Sequence, residues 1–235
     1  MNIPFYIGVL FGLTTLVTLF LFNRAVTNST DGLTVRKFGL ILGLQLLWLA
    51  LQAVLAITGK YSGHLDAMPP KLLVLGILPP ILGIVILLVT PKGRRFIDSL
   101  PLKAITSVNT VRIVVELILF LLYMQKAVPK LMTFEGGNLD ILSGLTAPVI
   151  AYFGFSRRVL DRRWILVWNF LCLGLLVNIV VRALLSAPFP AQRLGFDQPN
   201  IAILRFPFVW LPTFIVPVVL FGHLVSIRRL VLRKD

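Results

Sequence analysis

The chain has 235 residues, of which 57% are hydrophobic and only 14% are charged. A soluble domain carries about 25% charged residues and needs polar side chains to cover its surface, so this composition excludes an ordinary soluble protein. A net charge of +14 would suggest nucleic acid as the partner of a soluble protein, but no nucleic-acid partner is expected for so apolar a chain.

The apolar runs predict an all-α integral membrane protein. A membrane-spanning helix needs about 20 apolar residues, and about seven segments approach that length. The sequence therefore predicts one domain over 1–235, a bundle of about seven transmembrane helices. The spans are placed near 3–23, 38–58, 71–90, 107–127, 140–156, 164–186 and 201–227. The segment 91–106 mixes basic and apolar residues, which predicts a position along the membrane interface.

The basic residues divide unevenly between the two sides of such a bundle. One side carries 15 Lys and Arg residues and the other carries 5, while three lie within spans. Because Lys and Arg accumulate in cytoplasmic loops, the N-terminus is expected outside and the C-terminus in the cytoplasm. The expected location is the cytoplasmic (inner) membrane of the cell, as a multi-pass protein. The expected partners are membrane lipids, with anionic headgroups at the basic face.

Ionisable residues inside the spans are the main functional signals. Each costs about 2.5–3.5 kcal/mol to insert at a helix centre, so those present need a role. Arg112 and Glu116 lie four residues apart in the fourth span and can pair along its surface. Such a pair is either structural or handles an ion or a proton, and Arg112 alone could also reach the headgroups. Together with His223, near the inner end of the seventh span, they form a predicted inner polar cluster that binds substrate.

A second group of polar residues lies toward the predicted outer side. Asn138 and Asp140 precede the fifth span, where either side chain could cap the helix. The predicted outer substrate-binding cluster comprises Glu135, Asn138, Asp140, Arg182 and Arg205.

Further polar residues on the spans predict a central cavity, and prolines in three spans predict gaps between helices. The residues predicted to line this cavity are Gln45, Gln52, Tyr123 and Asn178.

The stretch from Arg112 to Pro148 resembles a recurring type of uncharacterised bacterial multispanning membrane protein. That resemblance implies no activity and assigns no site residue. Microbial rhodopsins share the seven-helix plan, but they bind retinal through a lysine of the last helix, and residues 201–227 contain no lysine. No cofactor is expected. No metal site is expected either, because the two histidines, His64 and His223, are predicted on opposite sides.

Three functions are compatible with this pattern. The leading hypothesis is a small carrier or binding protein for a polar or amphipathic solute, reached from the outer side. The second is a membrane enzyme acting on a lipid or isoprenoid at the cytoplasmic interface, with Glu116 or His223 as acid or base. The third is a non-catalytic membrane subunit or sensor. The sequence predicts neither a catalytic residue nor an oligomeric state.

Overall fold

The computed structural model describes residues 3–63 and 65–232, so His64 lies outside the described residues. Within them the regular structure is helical and contains no β-strand. The α-helices, in chain order, are α1 Phe5–Thr27, α2 Gly32–Arg36, α3 Phe38–Ile57, α4 Leu78–Val89, α5 Pro91–Ser99, α6 Leu102–Val108, α7 Val111–Met124, α8 Ile141–Val149, α9 Arg162–Leu185 and α10 Val216–Val231.

Five helical segments of the described chain are long and apolar enough to cross a membrane: Phe5–Thr27, Phe38–Ile57, Leu102–Met124, Arg162–Leu185 and Leu211–Val231. Leu73–Val89 adds a sixth if it is counted together with Pro91–Ser99, from which it is bent by 92°. Ile141–Ser156 is apolar but spans only about 24 Å at 1.5 Å per residue, less than the hydrocarbon thickness of about 30 Å. The described residues are therefore all-α with five to six candidate spans. The seventh span and the orientation of the termini stay predictions.

Two predicted boundaries differ from the observed ones. The last long helix begins at Leu211, not near 201, because residues 201–210 form turns and one short 3₁₀ segment. Pro207 and Pro212 lie in or beside these turns, and a proline disfavours helix at the residue before it. The second difference is in the segment 91–106, which was predicted to lie along the interface. Helix α5 turns sharply away from α4, but the residues from Leu102 onward already belong to the next long helix.

The core lies where α1, α7, α9 and α10 meet. Helix α1 packs against α6 and α7, and α10 packs against α9 and α6. Aromatic pairs stabilise the contact of α1 with the last part of the chain, with Phe11 5.3 Å from Phe208 and Phe22 5.8 Å from Phe221 between ring centroids. Helix α3 lies at the edge, since only 17% of its apolar window is buried, against 61% for Leu211–Val231.

Three π-helical turns interrupt the long helices next to prolines. They are Leu73–Ile77, Ile150–Ser156 and Leu211–Ile215. Proline has no N–H and its ring displaces the carbonyl four residues earlier, so the hydrogen-bond ladder shifts locally. The released carbonyls are then open to side chains of other helices.

Helix α3 is attached through two of these carbonyls. Gln52 Nε2 donates to the Leu75 carbonyl at 3.1 Å, and Trp48 Nε1 donates to the Thr213 carbonyl at 2.9 Å. Both acceptors lie four residues before a proline. The hydroxyl of Tyr61 donates to Gln52 Oε1 at 2.6 Å, and burial raises the pKa of Tyr61 to about 12. These bonds fix the C-terminal half of α3, from Trp48 onward.

Candidate functional site: a buried polar network beside an apolar cavity

Arg112, near the start of α7, is buried and lies at the centre of a polar network. Its Nε donates to Asp140 Oδ2 at 2.7 Å, and its Nη2 donates to Asp140 Oδ1 and to the Cys172 carbonyl. Its Nη1 contacts Asn109 Oδ1 at 3.3 Å and His223 Nε2 at 3.1 Å. The five N–H groups of the guanidinium thus all have acceptors. This satisfied charge pair is suited to holding helices together.

The contacts of His223 determine which ring nitrogen carries the proton. Because arginine can only donate, Nε2 of His223 is the acceptor and Nδ1 carries the hydrogen. Nδ1 lies 3.1 Å from Asn169 Oδ1, while the Asn169 amide nitrogen donates to the Ile165 carbonyl at 2.9 Å and so orients the amide. His223 is therefore a neutral imidazole with both nitrogens engaged. It has no nitrogen left for a substrate.

A close approach of α8 to α7 brings Asp140 onto Arg112. Gly144 makes this possible, because a Cβ at its position would lie 2.8 Å from the backbone nitrogen of Ile113. Asp140 precedes α8, as the sequence predicts, but its side chain makes no capping hydrogen bond. The buried guanidinium takes the carboxylate instead, since a two-point charged hydrogen bond is stronger than a bond to a backbone N–H.

Glu116 lies one turn after Arg112 on α7 but does not pair with it. Its Oε1 accepts a hydrogen bond from Asn138 Nδ2 at 2.7 Å. Asn138 is held in turn by the Met132 carbonyl, at 3.1 Å, and by the backbone N–H of Asp140, at 3.3 Å. Glu116 Oε2 is buried and has no hydrogen-bond partner among the described residues. The expected pair along the helix surface does not form, because Asp140 occupies the guanidinium.

An apolar cavity of about 190 Å³ lies beside Glu116, between α4, α7, α9 and α10. Within the described part of the chain, its polar lining residues are Arg112, Glu116 and Asp140. Arg112 and Asp140 are hydrogen-bonded to each other, so Glu116 is the polar lining residue that can still accept a hydrogen bond. Two other lining residues on α9, Val177 and Val181, are about half exposed, so the cavity reaches the protein surface beside them.

Residues 125–140 bring two members of the predicted outer cluster to the predicted inner one. This segment folds back along α7, so that Asn138 reaches Glu116 and Asp140 reaches Arg112. Both were predicted in an outer cluster, separate from Arg112, Glu116 and His223. An external loop would have kept them apart. The two 3₁₀ turns at Lys130–Met132 and Phe134–Gly136 carry them inward instead.

Comparison with known proteins places this network in a family. The family described as Domain of unknown function (DUF8737) matches residues 69–231. The chain belongs to this family. The match includes Arg112, Glu116, Asn138, Asp140 and His223, and it begins after α3. No curated protein and no solved structure is detectably similar to the chain. The family agrees with the uncharacterised type that the sequence resembles, and it brings no activity.

The remaining residues of the predicted outer cluster lie apart from the network. Glu135 is exposed, with Lys130 at 3.9 Å. Arg182 braces the inward-folded segment, because its Nη1 donates to the Leu131 and Gly136 carbonyls, each at 3.0 Å. Arg205 is exposed and lines a separate pocket beside the start of α1. Their roles in binding stay predictions.

The four residues predicted to line the central cavity also lie elsewhere. Gln52 is bound to Tyr61, Asn178 accepts from Arg182 at 3.2 Å, and Tyr123 packs against Phe120. Gln45 lines a second crevice beside α3. The cavity is apolar where a polar one was expected, because the polar side chains of these helices bond to neighbouring backbone and side-chain groups.

Two members of the network, Asn109 and Asn169, were not among the predicted site residues. Both are polar side chains on membrane-spanning segments, and that is the signal by which they could have been found. Within residues 3–63 and 65–232, no group of three His, Cys, Asp or Glu side chains is arranged to hold a metal ion.

Proposed function

We propose that this protein is a small membrane carrier that binds an amphipathic molecule in the cavity beside Glu116. One observation carries the proposal: Glu116 Oε2 is buried without a partner at the wall of an apolar cavity. A buried polar atom left unpaired costs about 1–3 kcal/mol, and such a cost in a native protein indicates a functional role.

The cavity and the carboxyl group together define the ligand chemistry. An apolar wall favours a hydrocarbon body, and a ligand N–H or O–H would supply the donor that Glu116 lacks. An apolar cavity of roughly 150 Å³ accepts benzene, so about 190 Å³ fits a molecule of similar or slightly larger size. A small hydrophobic amine or alcohol matches both features.

The other polar residues then have supporting roles. Asn138 orients Glu116 through its 2.7 Å hydrogen bond, and the Arg112–Asp140 pair holds α7 against α8. Half-exposed Val177 and Val181 offer an entrance from the side, through which a lipid-soluble molecule would enter from the bilayer. This entrance replaces the expected route from the outer side past Glu135, Asp140, Arg182 and Arg205.

We place the chain in the cytoplasmic membrane with seven crossings, the N-terminus outside and the C-terminus inside. The distribution of 15 basic residues against 5 supports this orientation. Residues 125–140 and the short helix Ile141–Ser156 together make the fifth crossing, since the segment folds inward before the helix starts. Arg157 and Arg158 follow this helix, as expected for a cytoplasmic end.

Carriage is favoured over the enzymatic alternative because His223 has both nitrogens engaged. Among the described residues, Glu116 is then the one acid–base group at the cavity that has a free oxygen. A role as a non-catalytic subunit would give no reason for an unpartnered carboxyl oxygen.

Exchange across liposomes tests carriage. Hexylguanidinium is a suitable probe, because it combines a short apolar chain with N–H donors and a permanent charge, and it crosses bilayers slowly unaided. Liposomes preloaded with this cation should accumulate the labelled cation from outside when they contain the protein. Glu116→Gln should abolish the exchange, and Glu135→Gln should retain it. Absence of exchange with the wild-type protein would rule out carriage of such cations.

A further inference from the structure

A second crevice, which we call the α3 crevice, separates the N-terminal half of α3 from α4 and α10. Its volume is about 460 Å³. Helix α3 is tied to its neighbours from Trp48 onward, whereas before Trp48 it is joined to α1 by the hydrogen bond from Asn23 to Gln45, at 2.6 Å. The gap therefore opens toward the start of α3. Aromatic side chains of α1, α5 and α10 form its walls: Phe22, Phe96 and Phe221.

Two lysines stand at the open end of the α3 crevice. Lys37 lies one helical turn before Ile41, which lines the crevice, and Lys92 lies one turn before Phe96 on α5. The start of α3 and the end of α4 lie on the same side, because the two helices are antiparallel spans. Both lysines are exposed, and neither takes part in an ion pair within the described ranges.

Of the two arginines on α5, Arg94 donates through Nε to the Leu88 carbonyl at 2.9 Å, and Arg95 is paired with an acidic residue. Arg95 donates through Nε and Nη2 to Asp31 Oδ1, at 3.0 and 2.7 Å. That pair joins the segment after α1 to α5, so it brings the two lysine-bearing elements together. Positive charge without an acidic partner at the mouth of an apolar crevice is complementary to one kind of membrane component, a lipid with an anionic headgroup.

We propose that the α3 crevice is a binding site for an anionic phospholipid, with an acyl chain between α3 and α4 and the phosphate between Lys37 and Lys92. Ile41 to Trp48 extends about 10 Å along the helix axis, which accommodates the part of the chain nearest the headgroup. The site is separate from Glu116 and does not depend on the proposed carrier function.

Gly83 allows a specific test, because it lines the crevice and a Cβ there would meet no described atom within 4 Å. Gly83→Leu should fill the crevice without a clash. Gly174→Leu is the matched control, since Gly174 is exposed on α9 and equally free of neighbours. For the charges, Lys37→Gln with Lys92→Gln is compared with Lys60→Gln and Lys126→Gln, two exposed lysines at the other ends of the helices.

The measurement is native mass spectrometry of the detergent-solubilised chain titrated with phosphatidylglycerol or phosphatidylethanolamine. The first phosphatidylglycerol should bind at least tenfold more tightly than phosphatidylethanolamine. Gly83→Leu should weaken the binding of this phosphatidylglycerol at least tenfold. The double variant Lys37→Gln with Lys92→Gln should weaken it by about 25-fold, at about fivefold for each lysine. Both controls and Glu116→Gln should bind it as the wild type does.

The proposed site would be overturned if Gly83→Leu bound phosphatidylglycerol with wild-type affinity, or if the two double-lysine variants lost affinity equally. General attraction of the lipid to the basic surface would then explain the binding. If Gly83→Leu does not fold, the comparison of the lysine pairs decides.

Discussion

Arg112 and Asp140 meet as a two-point charge pair that is buried between α7 and α8, with Arg112 Nε 2.7 Å from Asp140 Oδ2. Since Arg112 has its remaining hydrogens satisfied by Asn109, His223 and Cys172, the pair is complete without a ligand. Its role is to fix the position of its neighbours, above all Glu116.

Loss of the acidic partner should strongly destabilise the protein. Asp140→Asn leaves the Arg112 guanidinium buried without its counter-charge, which costs about 3–5 kcal/mol in the free energy of unfolding. Thermal unfolding in detergent, followed by circular dichroism, should show a large drop in melting temperature.

The matched control replaces both partners. Arg112→Met with Asp140→Leu removes the charge along with its partner and should recover most of the lost stability. An Asp140→Asn protein as stable as the wild type would show that the pair does not hold α7 and α8 together.

The hydrogen bonds of His223 predict its tautomer. Nitrogen-15 chemical shifts of histidine-labelled protein at neutral pH should show His223 neutral with its hydrogen on Nδ1. The chain has two histidines, so the His64→Gln variant assigns the signals. A hydrogen on Nε2, or a charged ring, is incompatible with Arg112 as its donor.

Stability in acid should depend on Asp31, which lies outside the spans. Partial burial raises the pKa of Asp31, but hydrogen bonds from Arg95 and Thr34 outweigh this effect, so its pKa lies below the ordinary value of 3.8. A pKa lowered by folding stabilises the protein above pH 3.8, and that contribution is lost as the pH falls through the lower folded value.

Asp31→Asn should therefore lower the melting temperature at pH 6 and make it less sensitive to acid below pH about 4. Asp66→Asn serves as the control. Parallel pH profiles for wild type and Asp31→Asn would mean that Asp31 and Arg95 do not interact in solution.

Single cysteines can test the orientation, because the native Cys172 is buried and Cys172→Ala supplies a cysteine-free background. In intact spheroplasts, a membrane-impermeant maleimide should label Lys60→Cys, on the predicted outer side. Asn28→Cys, on the basic side, should be labelled only after permeabilisation. The reverse pattern would invert the topology.

Polarity within apolar spans was enough to single out Arg112, Glu116 and His223 from the sequence, because such groups are rare at that depth. The approximate positions of the long helices followed from the apolar runs, because a membrane-spanning helix needs about 20 apolar residues. The pairing of Arg112 with Asp140 did not follow. It depends on irregular backbone between residues 125 and 140, and hydrophobic periodicity carries no information about irregular backbone.

The attachment of α3 shows a similar limit. The prolines predict gaps between helices, yet only the packing of α3 reveals that Gln52 and Trp48 bind the carbonyls that those prolines release. The sequence predicts Gln52 in the lining of a polar cavity. The hydrogen-bonding groups of Gln52 and Trp48 instead hold α3 in place.

The most direct test concerns the free oxygen of Glu116. Hexylamine binding to the protein in nanodiscs, measured by isothermal titration calorimetry, should be weakened at least tenfold by Glu116→Gln. Glu135→Gln, a change at the other glutamate of the chain, should bind as the wild type does. Hexanoate should bind neither the wild type nor Glu135→Gln, because it brings a second carboxylate to Glu116. Equal affinity of Glu116→Gln and the wild type for hexylamine would contradict the proposed site.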